Sequence, residues 1–121
     1  MRYRISMETG YLRAELFDRT TAEETHEFLE AILAAAAEHD ATRLLVSVFN
    51  SRPIFKVDQY GLMDYFSKAV EKSPHRIAMV GDTPEIRLSQ KYIEFLAWQR
   101  GVTLKTFGNE EGAVLWLTSD R

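Results

Sequence analysis

Nucleophilic and metal chemistry are the first activities that the residue types constrain. The 121-residue chain has no cysteine, which removes thiol nucleophiles, disulfides, thiolate zinc sites and iron–sulfur clusters. Its histidines are His26, His39 and His75. The first two fall within one helical stretch and the third opens a strand, so no metal-binding spacing joins them. The nucleophile elbow G-x-S-x-G, the phosphate loop G-x-x-x-x-G-K-[ST], the dinucleotide fingerprint G-x-G-x-x-G and the zinc motif H-E-x-x-H are all missing from the sequence. Asp58, Asp64, Asp82 and Glu85 are of a type that shares acid and base work. Near helix starts they have a simpler duty, accepting amide hydrogen bonds and complementing the helix dipole, and capping is how we read them. The expectation is a non-enzymatic chain with no catalytic residue, no cofactor and no metal.

Binding chemistry is better represented. Asn50, Ser51, Arg52 and Lys56 follow one apolar run, and Gly81-Asp82-Thr83 follows another. Each segment leads into a helix whose unpaired N-terminal amides can hold an anion, with Arg52 and Lys56 adding positive charge. A solvated loop with two snorkelling cations is the plainer alternative for the same residues. Tyr92, Phe95 and Trp98 form an aromatic belt that could line a pocket for an apolar ligand, core packing or a dimer contact being the other readings.

The elements that must position these residues are legible from periodicity. Apolar residues alternate at Tyr3, Ile5, Met7 and at Leu12, Ala14, Leu16, with Glu8-Thr9-Gly10 between them, which predicts a hairpin with one wet face. Thr21-Ala22-Glu23-Glu24 is a capping box opening a helix that ends near His39, with Phe28, Leu29, Ile32, Leu33 and Ala36 on its apolar stripe. Leu44 to Phe49 is nearly continuous in apolar character, as a strand covered on both faces should be. A second helix is expected from about Asp58 to Lys72, a short strand over Ile77–Val80, and a third helix capped by Thr83 with Pro84 at its first position. That helix runs to Arg100 before Gly101. Its second half is apolar nearly all round, which asks for something to cover it. Val102–Phe107 reads as a last strand, and Asn109 caps a closing helix.

The order is therefore ββαβαβαβα, one domain over residues 1–121. Strands joined by crossover helices run parallel. If sequential strands are also neighbours, every crossover helix lies on the same face of the sheet. The other face would carry either Leu45, Ser47 and Phe49 or Leu44, Val46 and Val48, and both sets are largely apolar. Such a face is expected to be covered by a folded-back terminal element or by a homodimer partner, the homodimer being the reading taken here.

Composition bounds the rest. With 45% hydrophobic and 27% charged residues the chain has ordinary globular usage, and the net charge of −3 offers no general nucleic-acid footprint. The longest apolar run is Ala31–Ala37, far short of the roughly 20 residues of a membrane-spanning helix. The N-terminal alternation of charged and apolar residues is unlike a signal peptide. A cytoplasmic protein is expected.

The stretch Arg76-Ile77-Ala78-Met79-Val80-Gly81-Asp82, the strand Val102–Phe107, the acidic pair Glu110-Glu111 and the ending Ala113-Val114-Leu115-Trp116-Leu117 carry a resemblance. In them the chain resembles the SpoIIAA-like branch of the STAS domains, grouped with the Sec14-like lipid-binding fold. The resemblance implies a β-α superhelix: an α/β fold with a single mixed sheet, an N-terminal β-hairpin and parallel strands with crossover helices. It also implies a regulatory module that binds another protein through the second helix and its preceding loop, or a small apolar or lipid-like ligand. Relatives that antagonise anti-sigma factors carry a phosphorylatable serine in an Asp-Ser-x-Gly-like loop. Here Asn50-Ser51-Arg52-Pro53 has neither that Asp nor that Gly.

Overall fold

Five strands and four helices follow one another in the expected order. The computed structural model describes residues 1–54, 59–71 and 76–119. Strands β1 (Arg2–Glu8) and β2 (Tyr11–Phe17) pair antiparallel across the Thr9-Gly10 turn, where Gly10 has φ 90°. That positive φ is why glycine belongs there. Helix α1 (Ala22–His39) connects β2 to β3 (Arg43–Phe49), α2 (Gln59–Glu71) connects β3 to β4 (Arg76–Gly81), α3 (Pro84–Gln99) connects β4 to β5 (Thr103–Phe107), and α4 (Glu110–Thr118) closes the chain. The sheet order is β1-β2-β3-β4-β5, with every pair from β2 onward parallel.

Local chemistry accounts for the helix ends. Thr21 Oγ1 accepts from the Glu24 amide, while the Glu24 carboxylate accepts from the Thr20 and Thr21 amides, a complete capping box. These bonds, led by the one from the Thr20 amide, hold the Glu24 carboxyl at about 2. Thr83 caps α3 through the Ile86 amide with Pro84 in the first turn, and Asn109 caps α4 through the Gly112 amide.

The side-chain period of two sorts the sheet onto two cores. Leu12, Ala14, Leu16, Leu44, Val46, Val48, Ile77, Met79 and Leu104 face α1, α2 and α3, which contribute Phe28, Ile32, Leu62, Phe66, Ile86, Ile93 and Leu96. Tyr11, Leu45, Ala78 and Val80 face the other way, onto Ala113 and Leu117 of α4. The face expected to be bare is thus covered by the folded-back terminal helix. This corrects the preference for a homodimer partner on that face. After Phe107 the chain turns back so that α4 lies across β3 and β4, and its Ala113 and Leu117, four residues apart, form the one stripe that meets the sheet.

A polar tie fastens α4 to the sheet. Ser47 is fully buried, and its hydroxyl donates to Glu110 Oε1 at 2.7 Å. Glu110 Oε2 accepts from Arg13 Nη1 at 2.9 Å, and Arg13 Nη2 donates to the Tyr11 hydroxyl at 3.2 Å. Burial works against ionisation of Glu110, but the bonds from Arg13 and Ser47 outweigh it and hold the carboxyl below its ordinary range.

Candidate functional site

The carboxyl ends of the parallel strands bring two of the sequence-marked segments together. Asn50 takes a left-handed conformation, φ 47°, as does Asp18 beside it at the end of β2, φ 59°. Short polar side chains tolerate that region because they can bond locally. Asn50 Nδ2 donates to Asp18 Oδ1 at 2.7 Å, and the Asn50 amide donates to Asp82 Oδ2 at 2.9 Å, so three strand ends are laced by side chains. Ser51 Oγ donates to the Phe49 carbonyl and accepts from the Arg19 amide, which spends the hydroxyl on loop geometry. Thr83 is occupied as the α3 cap. Asn50, Arg52 and Asp82 are exposed. Lys56, together with Asp58 and His75, lies outside the described residues.

Beneath this edge, between the sheet and α1, α2 and α3, lies an apolar cavity of about 70 Å³. Phe28, Leu29 and Ile32 of α1, Leu62, Tyr65 and Phe66 of α2, and Ile86 and Ile93 of α3 form its walls over Val46, Val48, Ile77 and Met79 of the sheet. Its polar lining is small and includes Arg19 and Arg52, which follow the ends of β2 and β3. Arg19 is buried and donates to the carbonyls of Thr21, Arg52 and Pro53 and to Thr25 Oγ1, stitching the loop before α1 to the loop after β3.

Two further polar residues line the same cavity. Gln90 is 1% exposed; its Nε2 donates to the Val80 carbonyl at 3.0 Å, but its Oε1 has no hydrogen-bond partner among the described residues. The Tyr65 hydroxyl, on a side chain 3% exposed, likewise has none there, and burial pushes its phenol well above the ordinary value. Leaving a buried polar group unpaired costs roughly 1–3 kcal/mol. Gly81 is what lets Ile86 and Gln90 pack this closely on β4: a Cβ there would stand 2.6 Å from Ile86 Cγ2 and 3.0 Å from Gln90 Oε1.

The aromatic belt of α3 is divided by this geometry. Tyr92 is half-buried and packs against the core, whereas Phe95 and Trp98 point outward, uncovered by any described residue. The cavity instead uses the opposite face of α3, through Ile86, Ser89, Gln90 and Ile93. Sequence reasoning therefore missed Arg19, Tyr65 and Gln90. Gln90 carried a signal, since a polar residue at the spacing of Ile86, Ile93 and Ala97 interrupts the buried stripe. Arg19 carried none. Among the described residues no group of three or more His, Asp or Glu could hold a metal ion, and no helix is long and apolar enough to cross a membrane.

A family model described as SpoIIAA-like matches residues 11–118, which spans β2 through α4. A search of curated proteins finds no match.

Proposed function

Because the chain belongs to the SpoIIAA-like family of regulatory and binding modules, we propose that it is a non-enzymatic binding domain whose ligand is a small, mainly apolar molecule with one polar group. A single observation carries this reading: Tyr65 and Gln90, two residues that line an otherwise apolar cavity, hold buried polar atoms, Oη and Oε1, that have no partner among the described residues. A guest with an alkyl body and a hydroxyl or carboxylic acid head fills the void and can pair with both atoms, recovering the cost of each. The carboxylic acid would enter protonated, so that its hydroxyl donates to Gln90 Oε1 and its carbonyl accepts from Tyr65. At about 70 Å³ the cavity takes a short chain, and a longer one requires outward movement of the α2 side chains Leu62 and Phe66.

The test is a thermal-shift and native mass spectrometry series with straight-chain alcohols and carboxylic acids of increasing length. Stabilisation should rise with each added methylene, worth about 0.8 kcal/mol when fully buried, and then level off. Tyr65→Phe and Gln90→Leu should each weaken binding about 10-fold, as for one lost hydrogen bond, and Leu29→Trp should abolish it by filling the void. No stabilisation by any member of the series, or equal stabilisation of Leu29→Trp, removes the proposal. In that event the rival reading gains, a protein partner docking on the exposed Asn50-Arg52 edge.

A further inference from the structure

We infer that the outer face of α3 is a docking surface for an anionic lipid bilayer. Leu88, Phe95 and Trp98 are 74%, 59% and 73% exposed, the most solvent-directed large apolar side chains of this helix. At 100° per residue they fall within about 80° of one another, opposite the buried stripe of Ile86, Gln90, Ile93 and Ala97, so they form the crown of the helix. Lys91 sits among them and Arg87 stands at the crown's edge, and neither takes part in an ion pair among the described residues. Of the nearby carboxylates, Glu85 lies in the first turn, and Glu94 borders the crown beside Lys91, Phe95 and Trp98, half-buried, with its Oε1 accepting from the amide and hydroxyl of Thr106.

Apolar side chains interleaved with unpaired cations on one convex helix face match the chemistry of a helix lying in the headgroup region. The tryptophan sits at the acyl boundary and the cations reach lipid phosphates. A second copy of this chain fits the face less well. Lys91 lies near the middle of the crown, so a two-fold pairing of α3 with α3 would bring the two Lys91 ammonium groups together. The net charge of −3 then works as an orienting device, because the rest of the surface is repelled by the bilayer that attracts this face.

The experiment measures co-sedimentation with vesicles of phosphatidylcholine alone and of phosphatidylcholine mixed with phosphatidylglycerol, alongside tryptophan emission. Binding should require phosphatidylglycerol, fall with added salt and shift the emission to the blue, the shift vanishing in Trp98→Phe. Arg87→Gln with Lys91→Gln should lower partitioning about 25-fold, at about fivefold per cation. Leu88→Ser with Phe95→Ser should lower it at least as far. These are exposed positions, and unchanged circular dichroism confirms that the variants fold. Absence of binding to the mixed vesicles, or binding indifferent to both double variants, overturns the inference. So does a species of twice the 14.0 kDa chain mass that Phe95→Ser dissociates, since the crown would then be a self-association surface.

Discussion

Single side chains set the chemistry of both interior faces of the sheet. On the three-helix side, Gln90 divides its amide: the Nε2 end braces the β4 carboxyl end, and the Oε1 end is buried with no partner among the described residues. On the α4 side, Ser47 places the one hydroxyl of β3 where Glu110 can accept it, and Arg13 neutralises the acid from β2. Ser47→Ala should therefore destabilise by about 1–2 kcal/mol, because it removes a buried donor from a half-buried carboxylate rather than trimming a methyl-sized group. For a chain of this size that is a fall in Tm of about 3–8 °C. A Tm within a degree of wild type would show that Arg13 alone holds Glu110.

Among the elements, α1 has the clearest local determinants and α3 the most divided faces. Thr21→Ala should cost about 1 kcal/mol, read as a shift in the denaturant midpoint without a change of slope. Glu24 supplies a pH test of the same cap. Its carboxyl titrates at about 2 in the folded chain against an ordinary 4.5, so its contribution is fully present above pH 4.5 and is lost as pH falls toward 2. The Tm gap between wild type and Glu24→Gln should be constant near neutrality, narrow below pH 4.5 and close near pH 2. A gap that widens on acidification would contradict the assignment. In α3 the buried and the outward stripes serve different ends, one lining the cavity and the other presenting Leu88, Phe95 and Trp98.

The whole molecule is a sheet with unequal covers, three helices on one face and a nine-residue helix on the other. Leu117 is fully buried in the smaller cover, against Leu45, Ala78 and Val80. Leu117→Ala should cost about 2–5 kcal/mol and loosen α4, exposing an apolar sheet face that promotes concentration-dependent association. Light scattering of the variant across a range of concentrations checks this. A variant that stays at 14.0 kDa and loses less than about 1 kcal/mol would mean that α4 is held chiefly by its polar tie.

By itself the sequence determined the elements, their order and the parallel pairing, since helix caps, strand alternation and crossover rules are all local or topological. It also marked Asn50, Ser51, Arg52, Asp82 and Thr83 as strand-end residues, which is where they stand. Only the tertiary structure decided what lies on each face. Whether Ala113 and Leu117 meet a sheet of their own chain or of another copy depends on the path after Phe107, which periodicity does not encode. The same holds for the cavity. Leu29, Tyr65, Phe66 and Gln90 come from three helices far apart in sequence, and the space between them is the remainder left after packing, a quantity that no residue carries alone.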